Sequence, residues 1–253
     1  MRKKKRGRGQ FFVDREAGGR YDFSMPRQPR SAPGGYVYHA LNRAVARLPL
    51  FEKPGDFDAF ERVLVEAWQR HPLRILAYCL MPNHWHFVLG PEQDDALTEF
   101  LRWLTHTHTQ RWHAHYHSAG TGHVYQGRFK AFPIQEDDHL YTVLRYVERN
   151  ALRAGLVQRA EQWQWSSLAH RLGSAEDPVR RLLAPWPLPP PGDWLERVNR
   201  PETQAELEAV RRSVVRGQPF GSTSWQKRAA KRMNLEYTFR RPGRPKKKGL
   251  AKP

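Results

Sequence analysis

Apolar and polar positions along the chain switch between two periods, near two and near 3.6, and the switches predict an order of elements. Tyr36-Val37-Tyr38-His39-Ala40-Leu41-Asn42 reads as a strand. After Gly55-Asp56, the positions Phe57, Phe60, Val63, Leu64 and Trp68 form a helical stripe that stops before Pro72. Two strand-like runs, 74–81 and 85–89, flank Pro82-Asn83 and predict a hairpin. A second helix runs from about Leu97 to His115, with Leu97, Phe100, Leu101, Leu104 and His108 on one side. Val124-Tyr125-Gln126-Gly127-Arg128-Phe129-Lys130-Ala131-Phe132-Pro133 is the fourth strand candidate. The order β-α-β-β-α-β is that of the split βαβ, ferredoxin-like arrangement. It predicts an α+β fold with a four-stranded antiparallel sheet and two helices on one face.

A third helix is predicted from Asp137 to about Gly155, with Leu140, Val143, Leu144 and Val147 as its apolar stripe and Gly155 as its C-cap. Trp163 and Trp165-Ser166-Ser167-Leu168 suggest a packed return segment. The expected organisation is a basic flexible arm over 1–33, one domain over 34–173, a proline-rich linker over 174–193, a small helical module over 194–239 and a basic tail over 240–253. The module carries a basic helix with Lys227, Arg228, Lys231 and Arg232.

Charge changes the picture from fold to partner. The 253 residues carry a formal net charge of +18, an excess that argues for a polyanion, nucleic acid ahead of a membrane surface. Thirteen of the 43 Lys and Arg residues sit in 1–8 and 240–252, tails whose plainest role is solvation or generic attraction to phosphates; an excess remains between them. No run of eighteen apolar residues predicts a membrane span, and the basic N-terminus has no apolar segment behind it. Cys79 is the single cysteine, which excludes an internal disulfide and fits a reducing cytoplasm. Its apolar strand-like surroundings suggest packing rather than ligation.

Two pairs of residues carry candidate chemistry. His84 and His86 are two apart at a strand start, so both imidazoles should point to one face with Trp85 on the other, a pincer for a divalent metal. Histidines so spaced are common by chance; the turn beside them and a second constellation downstream make the pair informative. Tyr146 and Asn150 are four apart on the third helix and face the same way at the flank of its apolar stripe. A structural tyrosine fits that position as well as a reactive one. Arg128 and Lys130, alternating with Phe129, should share one strand face and either grip phosphates or simply meet solvent. His106, His108, His113, His115 and His117 crowd the second helix, but without cysteines and with few carboxylates nearby they make a poor zinc site.

Met81-Pro82-Asn83-His84-Trp85-His86-Phe87, then Gln126-Gly127-Arg128-Phe129-Lys130, then Tyr146-Val147-Glu148-Arg149-Asn150 before Arg153-Ala154-Gly155-Leu156-Val157 form an ordered pattern. It resembles the REP-associated tyrosine transposases, relatives of the single-tyrosine HUH transposases of insertion sequences. The resemblance covers about residues 36–170, and Gly217–Trp225 and Arg241-Pro242-Gly243-Arg244-Pro245-Lys246-Lys247 resemble C-terminal signatures of the group. One departure is Ala151, where the family usually has proline.

The resemblance implies a metal-dependent single-strand DNA endonuclease and strand transferase. In it, His84, His86 and Asn150 hold Mg²⁺ or Mn²⁺ and Tyr146 attacks a phosphodiester to give a 5′-phosphotyrosine. The implied partner is single-stranded hairpin DNA, a REP-like palindrome, bound by a monomer or homodimer in the cytoplasm and associated with the nucleoid. Candidate DNA contacts are His123, Gln126, Arg128, Lys130, Arg153, Lys227, Arg228, Arg241 and Arg244, the last in a segment that resembles an AT-hook core but has Pro242 where arginine is usual, which favours generic backbone binding. The alternative is a non-catalytic DNA- or RNA-binding regulator on the same fold.

Overall fold

A computed structural model describes residues 32–240. The sheet holds β1 (Val37–Arg43), β2 (Arg74–Met81), β3 (His84–Gly90) and β4 (Lys130–Ile134), in the order β2-β3-β1-β4 with every neighbouring pair antiparallel. The helices α1 (Pro54–Arg70) and α2 (Ala96–His115) connect β1 to β2 and β3 to β4. This is the split βαβ, ferredoxin-like α+β topology.

Strand alternation divides the sheet into two apolar faces. Tyr38, Ala40, Tyr78, Leu80, Trp85, Phe87 and Leu89 pack against Phe57, Phe60 and Leu64 of α1 and against Leu97, Phe100, Leu101 and Leu104 of α2. Trp85, Phe60, Phe87 and Phe100 are fully buried there, at about 1.5–3 kcal/mol for each large apolar side chain removed from water. Pro54 opens α1, and Asp56 accepts from the backbone N–H groups of Glu52 at 2.8 Å and Lys53 at 3.1 Å. The same carboxylate oxygen accepts from the Tyr116 hydroxyl at 2.6 Å, tying the start of α1 to the end of α2.

The opposite face buries Val37, Ala77, Cys79, Met81, Val88, Phe132 and Ile134 under α3 (Asp138–Glu148) and α4 (Asn150–Arg153). Further helices follow: α5 (Ser167–Leu172), α6 (Trp194–Asn199), α7 (Gln204–Arg216) and α8 (Thr223–Arg232). Trp194, Val198, Val210 and Phe220 belong to this second core, so α6 and α7 pack on α3 and β4, while Met233 after α8 joins the first core. Phe220 also bridges Ile134 at the sheet edge. The proline-rich stretch lies along β2: Leu183 bridges Ile75, Trp186 donates its indole N–H to Leu76 O at 2.8 Å, and Pro189 O accepts from Tyr141 at 2.6 Å.

Two elements differ from the sequence expectation. The third helix is interrupted at Arg149, whose backbone stays right-handed (φ −82°, ψ −3°), so the chain continues along α4. It ends as expected at Gly155 (φ +72°), whose N–H donates to Leu152 O while the N–H of Leu156 donates to Ala151 O, each at 3.0 Å: a Schellman closure that needs a left-handed residue. The fourth strand begins only at Lys130, and its pairing ends at the proline-containing stretch closing with Ile134. Upstream, Tyr125 makes one isolated bridge with Ala44, and residues 126–128 bend away, exposed. The Asn42 side chain, donating to Gly127 O at 3.2 Å, takes the place of a main-chain ladder there. Arg128 therefore does not share a strand face with Lys130.

Candidate active site

His84 and His86 stand on the same face of β3, rings 5.0 Å apart, and Trp85 points into the opposite core. The tight Pro82-Asn83 turn between β2 and β3 sets this start point. Asn83 Oδ1 lies 2.6 Å from Nδ1 of His84, which then carries the proton and leaves Nε2 with a free lone pair. Burial, aided by the nearby charges of Arg43 and Arg153, lowers the His84 pKa to about 4. Burial also takes His86 well below its usual range, with the neighbouring histidines and arginines adding to the effect. Both imidazoles are neutral at pH 7, the form that binds metals.

α3 lies over this face. Asp137 caps it, accepting from the His139 N–H at 2.9 Å, and the stripe Leu140, Val143, Leu144 and Val147 seats it on the sheet. Behind it, the buried Glu148 carboxylate accepts from Ser167 and from the Trp194 indole, each at 2.8 Å. Burial raises the Glu148 pKa. Tyr146 is thereby set 5.8 Å, ring to ring, from His86. Its hydroxyl makes no hydrogen bond to any described residue. Asn150, buried one turn on, accepts through Oδ1 from Arg153 at 3.1 Å, while its Nδ2 has no partner among the described residues.

Arg153 is drawn into the site. Its guanidinium lies over the Tyr146 ring at 4.2 Å, contacts Tyr146 O and pairs with Glu202 at 2.6 Å. Arg145, Arg149 and Arg153 form a stripe one turn apart that holds the segment 198–206. Arg145 donates to Arg200 O and Pro201 O, Arg149 donates to Val198 O and Asn199 O, and Arg149 Nε lies 2.9 Å from Glu202. The stripe's spacing is readable in the sequence, but its partners lie about fifty residues downstream.

His39 is a site residue that sequence reading missed. It is fully buried on β1, and its Nε2 lies 2.8 Å from Nδ1 of His86. Its ring is 6.3 Å from Tyr146 and 4.8 Å from Phe132, and its Nδ1 has no partner among the described residues. The signal was its odd-numbered position on β1, which puts it on the face shared with His86. The pairing itself depends on the β1–β3 register, His39 opposite Val88 and Leu41 opposite His86.

The remaining sequence candidates are scattered. Lys130 is exposed at the start of β4, opposite Leu41 and on the histidine face. His123, Gln126 and Arg128 are exposed on the loop before it, where the Gln126 N–H donates to Arg43 O at 2.9 Å. Lys227 and Arg228 are exposed on α8. Arg241 and Arg244 lie outside the described residues. His108 is a core residue, its Nδ1 2.9 Å from the Tyr125 hydroxyl, which also accepts from the Trp85 indole at 3.2 Å. Among the described residues no group of three or more His, Cys, Asp or Glu side chains is placed to hold a metal. No described helix is long and apolar enough to cross a membrane.

Three comparisons with known proteins bear on the chain that carries this sheet face. Residues 34–150 match the family model described as "Transposase IS200 like". The similarity is to REP-associated tyrosine transposases. A Haemophilus influenzae protein named "Putative REP-associated tyrosine transposase" is 28% identical in an alignment 128 residues long that covers 46% of this chain and 70% of that protein. A solved structure of a REP-associated tyrosine transposase bound to a REP hairpin has a TM-score of 0.45 and 19% identity, over 61% of this chain and 88% of that one.

Proposed function

We propose that the protein is a metal-dependent single-strand DNA endonuclease and strand transferase that acts on REP-like hairpin DNA through a 5′-phosphotyrosine. The observation that carries this is the placement of Tyr146 on the histidine face, 5.8 Å from the His86 ring, with its hydroxyl free of any described partner. A core tyrosine would bury or satisfy that group. The resemblance to REP-associated tyrosine transposases supplies the substrate class.

The donor types suit a divalent cation such as Mn²⁺ or Mg²⁺: two neutral imidazoles and the Asn150 amide oxygen, which would exchange its Arg153 contact for the ion. When bound, the ion would polarise the scissile phosphate and help neutralise its charge. Ligation through Nε2 of His86 requires that its proton sit on Nδ1 and be donated to His39. His39 then carries its own proton on Nδ1, where no described acceptor meets it. His39 is thus the partner that sets the His86 tautomer, at a cost of about 1–3 kcal/mol for one buried, unmet donor.

Tyr146 then attacks the phosphorus. Its oxygen forms the new P–O bond, the 3′-oxygen of the upstream strand leaves with the bonding pair and takes up a proton, and the phenolic proton passes to solvent. Arg153, over the ring at 4.2 Å, holds the tyrosine side chain in place. One phosphoester replaces another, so the reverse step joins strands without ATP. Lys130 on the histidine face, His123, Gln126 and Arg128 on the exposed loop before it, and Lys227 and Arg228 on α8 would offer contacts to the DNA strand.

The test is incubation with a labelled REP-type hairpin carrying single-stranded flanks, with Mn²⁺. A DNA adduct that survives denaturing gel electrophoresis is expected, and the Tyr146→Phe protein should give none. Hairpin binding without any adduct under Mn²⁺ or Mg²⁺ would contradict the reading and leave a DNA-binding regulator.

A further inference from the structure

Arg43 closes β1 directly opposite His84 in the β1–β3 register. Directly paired residues of an antiparallel ladder share a face, so its side chain rises on the histidine side of the sheet. A second guanidinium, that of Arg153, lies over the Tyr146 ring at 4.2 Å. Arg153 is already neutralised by Glu202 and occupied by Tyr146 O and Asn150 Oδ1. Arg43 has no carboxylate partner and no side-chain hydrogen bond among the described residues, and its Nε is buried without an acceptor. A guanidinium in that state lacks an anion, and a forked donor of this kind matches the paired non-bridging oxygens of a phosphodiester.

The backbone around Arg43 holds it in place. Its N–H donates to Asn42 Oδ1 at 2.9 Å, its carbonyl accepts from Gln126 N–H at 2.9 Å, and the Asn42 amide donates to Gly127 O at 3.2 Å. Lys130 stands on the same face one pair along, opposite Leu41, which itself pairs with His86. Two cations thus line the β1–β4 side of the histidine pair, and α3 with Tyr146 covers the other part of the face.

We infer that Arg43 is a phosphate-binding residue of the active site, its guanidinium holding the non-bridging oxygens of the scissile phosphodiester beside the histidine pair. It transfers no proton; it meets the charge that grows on those oxygens as the Tyr146 oxygen adds and the 3′-oxygen leaves. The inference rests on the strand-transfer reading above and extends it to a residue that the tyrosine and histidine motifs do not include.

The experiment is single-turnover adduct formation on two hairpin substrates, one with an ordinary phosphodiester and one with an uncharged methylphosphonate at the position the wild-type protein cuts. On the phosphodiester, Arg43→Ala should be slower by about 100-fold or more, the usual loss when one preorganised donor to a developing oxyanion is removed. Arg43→Lys, which keeps charge but loses the fork, should fall between the two. On the methylphosphonate, the gap between wild type and Arg43→Ala should shrink to about threefold, because the charge that Arg43 meets has gone. Equal deficits on both substrates would mark a structural role and overturn the assignment. So would an Arg43→Ala rate within about threefold of wild type on the phosphodiester, or a loss confined to hairpin binding. A wild-type protein that forms no adduct would overturn the strand-transfer reading itself, whereas a wild-type adduct with an undiminished Arg43→Ala rate would overturn Arg43 alone.

Discussion

Replacing Glu202 by alanine should loosen the whole tyrosine helix. Its side chain is 5% exposed and lies between the guanidiniums of Arg149 and Arg153, which are 10% and 16% exposed. Removing one partner of a buried ion pair costs about 3–5 kcal/mol, mostly because a charge is left without its counter-ion. Here two cations are left, but each keeps backbone acceptors: Val198 O and Asn199 O for Arg149, Tyr146 O for Arg153. A loss of about 2–4 kcal/mol is therefore expected for Glu202→Ala. At about 2–4 °C per kcal/mol for a domain of this size, the midpoint should fall by roughly 10 °C. The assay is thermal and urea unfolding of wild type, Glu202→Ala and a surface control, Glu176→Ala. The control breaks a pair whose members are 63% and 85% exposed, which should change stability by under about 0.5 kcal/mol. The adduct rate should fall with Glu202→Ala as well, since Arg153 is released from its place over Tyr146. A change below about 1 kcal/mol would refute the claim that this segment clamps the helix.

His39→Phe keeps the ring volume but removes the acceptor for His86, and should weaken Mn²⁺ binding by about 10–100-fold in a direct titration; unchanged affinity would show that His39 does not set the ligand tautomer. His170 is held between Glu61 and Asp177, with Nε2 3.0 Å from Glu61. Burial opposes its charged form, but the hydrogen bonds and charges of the two carboxylates outweigh burial and raise its pKa above 6.5. A raised folded pKa means that this stabilisation is complete below the unfolded value near 6.5 and is lost as pH rises through the folded value. Unfolding measured from pH 6 to 9 should therefore show a loss in wild type that is absent in His170→Gln, and parallel curves would contradict it. Lys227→Ala with Arg228→Ala should lower the slope of log hairpin affinity against log salt by about 2 if α8 contacts phosphates, and leave it unchanged if that helix faces solvent in the complex.

Elements whose cues are local were legible in the sequence. The Pro82-Asn83 turn and its flanking apolar runs define the hairpin, and period-two alternation alone separates His84 and His86 from Trp85. Tyr146 and Asn150 follow from helical spacing. What escaped depends on contacts distant in sequence. His39 sits in plain sight on β1, yet only the strand register puts it against His86. Arg43 likewise gains meaning only from lying opposite His84. Arg153 read as a DNA contact because its counter-ion, Glu202, lies in a segment that looked like a separate module; the apolar positions Trp194, Val198 and Val210 bring that segment onto α3. The fourth strand was read too long because apolar Val124, Tyr125 and Phe129 suggested a strand, whereas their burial belongs to the core under α1 and α2.

The most direct test of the central claim is to follow both ends of the cut strand. With a hairpin labelled separately on the 5′ and 3′ sides of the cleavage position, the 3′-side label should stay covalently on the protein. Peptide mapping should place it on Tyr146, and the 5′-side fragment should leave with a free 3′-OH. Release of both fragments without protein attachment, or an adduct that persists in Tyr146→Phe, would contradict the account.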